Sequence, residues 1–545
     1  MEKHDRQDPK ITTGTVQSDP QWIRQLLGQC DPECHVYPDS VHWAGPAVFC
    51  LARLHAVKQL VVLLPNKGVE QSDHATGDLT TDRIIAGLSG EIQTIGQVIV
   101  KCSPLTVANS LLLRQIFPFT NPVSLADRAV TIGLGDRLGL ASPGHIRVIK
   151  TCQAAPVLAQ QSIRELNLTG RTYADVLAAA VWAVFQENYT DGYGADGDHL
   201  KTEPEVRMAL DHGYTMITLD CSEKIDNTAA DLPDEAVDSR YARLDAAIRQ
   251  HYEALYGGRS IALDPQTEIH FTTGELKRIV LVYHQAILHA RDIYIHVIKP
   301  EKRMVDFELS IDETLTATSP EAHYLVAAEL AAAGVRISSL APRFYGEFQK
   351  GVDYRGDIGR FTSEFDIHVR IARFFGYRIS VHSGSDKFSV FPVIGALTGG
   401  FFHLKTAGTN WLEAMCVIAG VAPDLYRRMH GYALAHLDEA RRYYHVSCEP
   451  ANIAALDAVS DDELVGFFDH DDSRQLIHIT YGLLLQAKNA DGSWMFRDDF
   501  FAVLDRYESV YMDRLSRHIG RHLRELGLLA AETPGDMTAG EQAHA

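Results

Sequence analysis

From residue 129 onward, short apolar runs alternate with segments of helical period, and each run stops on a cluster of polar, chemically capable residues. The runs are Ala129–Leu134, Val157–Gln161, Tyr193–Asp196, Thr215–Leu219, Val305–Ile311, Val335–Ala341, Tyr377–Val381 and Phe401–Leu404. Strands separated by helices of this length need crossover connections, and therefore pair in parallel. Eight such units predict an α/β fold, a (β/α)8 barrel, whose active site is assembled at the C-terminal ends of the strands. The last two runs show that rim most clearly. One breaks into His382-Ser383-Gly384-Ser385-Asp386-Lys387, the other into His403-Leu404-Lys405-Thr406-Ala407-Gly408.

The helix signals between the runs agree. Thr172-Tyr173-Ala174-Asp175 is a capping sequence that opens a helix over Ala174–Gln186. Ser319-Pro320-Glu321 opens one over Ala322–Ala333 that Gly334 stops, and Phe365–Phe375 is closed by Gly376. Residues 222–303 are too long for one crossover and read as a helical insertion, with helices at Ala236–Tyr256 and Gly274–Arg291. Residues 411–545 read as a C-terminal helical extension ending in a polar tail from Glu532. Residues 1–125 form an N-terminal α/β segment or cap, which leaves 126–410 for the barrel. The runs Leu60–Leu64 and Val98–Val100 fit either that cap or a first barrel strand. Arg427-Arg428-Met429-His430 reads as a solvated helix face, and His368 as a surface or packing residue.

Bulk composition narrows the partners. A formal charge of -20 over 545 residues disfavours nucleic acid and anionic membranes, both of which demand clustered Lys and Arg. No apolar run approaches the roughly 20 residues of a membrane span. The opening MEKHDRQDPK has no apolar signal core. The eight cysteines are scattered, as in a reduced, cytoplasmic protein. A small-molecule substrate is expected.

The strand ends supply the chemistry. Gly194-Ala195-Asp196-Gly197-Asp198-His199 offers Asp198 as a general base and His199 as a metal ligand or acid/base group. In Asp306–Asp312, alternation puts Glu308, Ser310 and Asp312 on one face. A carboxylate inside a barrel must be paired or bound to a cation, so Glu308 is a candidate for acid/base work or metal binding. After the sixth run, Arg343 can clamp a carboxylate, and Glu347 or Gln349 can supply an oxygen ligand. His382 and His199 make an imidazole pair on separate strands. Lys201, Lys387 and Lys405 all follow strands and suit a Schiff base or an anionic substrate. Gly133-Leu134-Gly135-Asp136-Arg137-Leu138-Gly139 misses the spacing of a dinucleotide loop, although Asp136 and Arg137 can touch substrate.

Taken together, GYGADGDHLKT (192–202), FELSIDET (307–314), SLAPRFYGEFQKGVDY (339–354), HSGSDKFSVFP (382–392) and FHLKTAGTNWLEA (402–414) resemble the tagaturonate/fructuronate epimerases. The resemblance implies an isomerase of hexuronate metabolism. It would interconvert D-tagaturonate and D-fructuronate at C3 with a divalent metal such as Zn, Mn, Co or Ni. It implies a proton acceptor at Asp198, a proton donor at Glu308 (Asp312 and Glu313 being the alternatives), and metal ligands His199, Gln349 (or Glu347) and His382. Arg343, Lys405, Asp386, Lys387 and Arg137 are the expected substrate-binding residues. The ketone at C5 does not acidify the C3 proton, so a metal-assisted retro-aldol opening of C3–C4 is the easier route. The alternatives are a Schiff-base aldolase and a metal-dependent aldose–ketose isomerase on the same barrel.

Overall fold

The computed structural model describes residues 16–66, 79–406, 408–444 and 446–530. The polar tail expected from Glu532 lies outside them. The chain divides into two compact units, one of residues up to Asn121 with Ala178–Asp191, the other of Pro122–Leu177 with Gly192 onward.

All eight expected runs are strands of one closed parallel barrel in the second unit: β1 (Val130–Gly133), β2 (Ala155–Ser162), β3 (Gly194–Leu200), β4 (Met216–Asp220), β5 (Asp306–Ile311), β6 (Ser339–Pro342), β7 (Arg378–Val381) and β8 (Phe402–Lys405). Each pairs with its neighbours in sequence, and β8 returns to β1 through Phe402 opposite Val130 and Lys405 opposite Gly133. Phe307, Leu309 and Ile311 of β5 are about 1% exposed, while Glu308 and Ser310 on the opposite face are completely buried. The lumen is therefore polar, and many of its groups pair with one another, while His403 Nε2, Ser380 Oγ and Gln160 Oε1 have no partner among the described residues. Ser339 donates to Glu308 at 2.5 Å, Thr218 donates to Asp196 at 3.0 Å, and Thr131 meets the His403 ring at 2.8 Å. Pairing of this kind offsets the cost of burying polar groups in a core.

The expected helices form at Tyr173–Gln186, Pro320–Ala332 and Ile358–Phe375. Gly376 ends the last of these at φ 79°, a left-handed conformation that glycine adopts without Cβ strain. The insertion is less regular than its pattern suggests. The stretch Ala236–Tyr256 breaks into Asp234–Ala242 and Ala246–Tyr256, because Asp245 caps the second helix through the Ala247 N–H at 2.7 Å. A short hairpin, Ser260–Asp264 with Thr267–His270, follows. It was not anticipated, since its strands are brief and mostly solvated. A 21-residue helix, Thr273–Ile293, completes the insertion.

Beyond β8, the helices Thr409–Val421, Pro423–Ala435, Asp471–Ile479, Arg497–Arg506 and Glu508–Glu525 close around a shared apolar core centred on the fully buried Trp411. The Trp411 indole donates to the Ile477 carbonyl at 2.7 Å, which fixes the helix carrying His478. Arg427–His430 is not a solvated face throughout. Met429 and His430 are completely buried, because the extension packs this helix on its own core. His368 is buried as well, its ring 2.9 Å from that of His323.

The first unit carries a six-stranded sheet with the order His35–Val36, Ala47–Leu54, Val57–Pro65, Val98–Pro104, Glu91–Ile95, and His42–Ala44 beside Ala47–Leu54. The two runs that fitted either cap or barrel pair here, antiparallel, with Leu63 opposite Val100. Leu60–Leu63 is an unbroken apolar run because both faces of its strand are covered. Val61 and Leu63 pack with Ile23 and Leu27, while Leu60 and Val62 pack with Leu113 and Phe185.

Candidate active site

The C-terminal ends of the barrel strands open into a cavity of roughly 570 Å3. Lys405, at the end of β8, is a buried polar group of its wall. The ammonium lies 2.6 Å from Asp198, 2.9 Å from Glu308 and 3.0 Å from Asp196, and also donates to Thr218 at 2.6 Å. Burial works against the charge, but the three carboxylates outweigh it and hold Lys405 well above its ordinary range. Burial would raise Asp198 and Glu308. Instead His199 and Lys405 pull Asp198 well below the usual carboxylate range, and Lys405, His403 and His382 do the same for Glu308. Asp196 is raised, by burial first and by its acidic neighbours against Lys405.

Next to this lysine, the ligand atoms of His199, Asp312 and His382 all lie within 4.8 Å of one another. The His199 Nδ1 meets Asp198 at 2.7 Å, and His382 bridges Glu308 at 2.8 Å and Asp312 at 3.1 Å. Burial opposes protonation of both rings, yet the adjacent carboxylates push His199 up to about 10 and raise His382. Two imidazoles and a carboxylate from three strands, with a cavity on the open side, fit a divalent transition metal. The ligand atoms of a second group, Asp386, His518 and His522, also lie within 4.8 Å of one another. There, however, Asp386 already accepts from Arg474 at 2.8 Å, and the His522 Nε2 accepts the Asp386 N–H at 3.1 Å.

A local irregularity makes the site. In a regular strand, Asp198 and His199 would face opposite sides. Between β3 and β4 the register slips, with Gly197 opposite Ile217 and Leu200 opposite Leu219. The extra residue is a bulge, and His199 sits in it at φ 54°. Both side chains can then line the cavity. A non-glycine residue held in that region carries about 1–3 kcal/mol of strain, and such residues cluster at functional sites. Ser383 and Asp386, in the loop after β7, share the feature at φ 50° and 60°.

The remaining expected residues are placed as follows. Gln349 and Glu347 line the cavity, with the Gln349 side-chain oxygen Oε1 taking hydrogen bonds from Ser447 at 2.9 Å and Gln475 at 2.8 Å. Glu308 is completely buried behind Lys405 and His382. Arg343 lines the cavity and donates to the Thr314 carbonyl. Burial pulls Lys387 down to about 7, and its ammonium is engaged by the carbonyls of Gln349, Val352 and Ser385 at 2.6–2.9 Å. Asp386 is turned to Arg474 and His518. Asp136 caps the loop after β1 by accepting the N–H groups of Leu138, Gly139, Ala141 and Ser142. Arg137 lines the cavity beside Glu165. Asp196, Thr218, Lys350 and His478 had not been singled out. Asp196 was legible as the residue two before Asp198 on one strand face. His478 lies on a helix of the extension, where no strand-end signal marks it.

A closed (β/α)8 barrel with a polar lumen, a lysine bridging buried carboxylates and an imidazole–carboxylate group able to hold a metal fits an enzyme of the metal-assisted carbohydrate-isomerising class. The chain belongs to the tagaturonate epimerase family, whose model matches residues 37–526. It is 41% identical over 417 residues to the tagaturonate/fructuronate epimerase of Thermotoga maritima, covering 76% of this chain and 84% of that protein. It is 50% identical to a glycerol-complexed crystal structure of the fructuronate-tagaturonate epimerase UxaE from Cohnella laeviribosi, with a TM-score of 0.87 over 93% of this chain and 99% of that one. The native crystal structure of the same enzyme gives 49% identity and a TM-score of 0.86, with the same coverage.

Proposed function

We propose that this protein interconverts D-tagaturonate and D-fructuronate by inverting C3, using a divalent metal at His199, Asp312 and His382. The convergence of those three side chains on one cavity beside Asp198 and Lys405 carries the reading. Gln349, on the same cavity wall, would be a further oxygen ligand on release of the hydrogen bonds its side-chain oxygen accepts from Ser447 and Gln475. When bound, a divalent cation polarises the substrate ketone and stabilises the negative charge that develops there.

The protein groups move the proton. Asp198 is ionised throughout the physiological range, and it accepts the C3 hydroxyl proton as C3–C4 opens. The aldehyde turns about C2–C3, and the bond closes on its other face. Lys405, which touches both Asp198 and Glu308, returns the proton to the C3 oxygen, and Glu308 serves the donor side through it. A Schiff base on Lys405 or Lys201 is disfavoured, since it needs an uncharged amine. Lys405 is held protonated by three carboxylates, and Lys201 lies 3.5 Å from Asp220 and 3.3 Å from Glu223.

All eight cysteines are free, which supports placing the enzyme in the cytoplasm. No helix among the described residues is long and apolar enough to cross a membrane.

Elemental analysis, coupled to an assay on both uronates with and without chelator, tests the function. The expected result is about one divalent ion per chain, at a three-ligand centre of this kind, and interconversion that chelator abolishes and added metal restores. Activity that persists in metal-free protein would overturn the reading.

A further inference from the structure

The mechanism above leaves one end of the cavity unused, and that end is cationic. Arg137 follows β1 and donates to Glu165 through Nε at 2.8 Å and Nη2 at 2.6 Å, with its guanidinium 4.2 Å from the Tyr481 ring centre. This clamp holds the guanidinium rigid. The Nη1 is buried and has no partner among the described residues. Lys350 follows β6 and donates to the Ser383 hydroxyl at 3.0 Å, with no carboxylate in ion-pair contact among the described residues. His478 is 1% exposed, and neither ring nitrogen has a partner there. All three line the same cavity.

Their positions are built in. The loop after β8 leaves room for the imidazole only because residue 408 is glycine, since a Cβ there would lie 2.2 Å from the His478 Cε1. Gly351, next to Lys350, abuts the same histidine, with an added Cβ 3.3 Å from the His478 Cβ. Burial lowers His478 first, and the charges of Arg137 and Lys350 lower it further, so the ring is neutral and offers one N–H. Buried donors without acceptors are costly unless a ligand completes them. With Glu165 already engaged by Arg137, the charges of Lys350 and of Arg164, which lines the same cavity over the Tyr444 ring and has no carboxylate in ion-pair contact among the described residues, make this end net cationic beside neutral donors, the complement of an anionic group such as a carboxylate.

The geometry points to a carboxylate subsite formed by Arg137, Lys350 and His478, which binds the C1 carboxylate of the substrate and selects uronates over neutral ketoses. This assignment rests on the proposed function and extends it. An anchor at C1 keeps the aldehyde fragment in place while leaving the C2–C3 bond free to turn, as inversion at C3 requires.

The test compares Lys350→Met, Lys350→Arg and Gly408→Ala, the last displacing the His478 ring without altering any charge. Steady-state kinetics are measured on D-tagaturonate and on the neutral ketohexose bearing a hydroxymethyl group in place of the carboxylate. For Lys350→Met, KM for the uronate rises about 10- to 100-fold, as expected for a lost charge-assisted hydrogen bond, while kcat changes far less. The preference for uronate over neutral ketose collapses by the same factor. Lys350→Arg retains most of it, and Gly408→Ala loses part. If both substrates decline together in Lys350→Met, or the uronate KM is unchanged, the subsite is wrong. A wild-type protein that converts neither uronate overturns the functional reading instead. The subsite is then decided by a hexonate, which must stabilise the wild type against heat but not Lys350→Met. Equal stabilisation overturns it.

Discussion

Lys405→Met abolishes turnover and lowers the stability of the barrel unit by about 3–5 kcal/mol, the usual cost of stranding buried charge. The side chain is 5% exposed and lies within 3.0 Å of Asp196, Asp198 and Glu308, of which Asp196 and Glu308 are completely inaccessible. Without the ammonium, these carboxylates face one another in a medium that screens poorly, and some must take up protons. The loss is therefore larger at neutral pH than in acid. The folded protein then binds protons more readily than the unfolded chain, so stability falls as pH rises through the range where those carboxyls ionise. Urea unfolding monitored at two pH values measures it. Combining Lys405→Met with Asp196→Asn recovers part of the stability but no activity, because a charge is removed without restoring the proton donor. A Lys405→Met protein as stable as the parent would show that the bridge is not what holds the lumen together.

Asp198→Asn lowers kcat by about 100- to 10,000-fold, the usual contribution of a positioned acid/base group, while leaving the metal content of the protein unchanged. The amide preserves the shape of the side chain and can still accept from Lys405, but it cannot take a proton. His199, Asp312 and His382, the proposed ligands, are left intact. Elemental analysis on the purified variant separates the possibilities. Retained metal with lost turnover assigns Asp198 to proton transfer. Lost metal moves it into the coordination shell, beside the His199 ring it already touches at 2.7 Å. The corresponding His382→Ala protein is expected to lose both metal and activity.

The barrel was legible in the chain because backbone pairing enforces a period. Strands that pack their outer face under helices keep apolar residues there while the polar lumen takes the alternate positions, and crossover helices must show their own repeat. This is why Ala129–Leu134 through Phe401–Leu404 could be assigned to strands without knowing what they touch. The same argument identified Asp198, His199 and His382 as strand-end groups. It failed for Leu60–Leu64, because an apolar run does not say which sheet it joins, and this one pairs antiparallel with Val98–Pro104.

Sequence alone determined the order of the elements and the chemical character of the rim, both of which depend on local residue pattern. Tertiary structure decided what that rim surrounds. Asp312 joins His199 and His382 only because barrel closure brings β3, β5 and β7 to one cavity, and adjacent residues 198 and 199 share it only because a bulge breaks the alternation. Likewise, Lys405 could be read as a free amine until folding surrounded it with three carboxylates from β3 and β5. His478, 73 residues beyond the end of the last strand, reaches the site because Trp411 fixes Ile477 and glycine at 408 leaves the space. Contacts of that kind link residues remote in sequence through packing and electrostatics, which no local periodicity encodes.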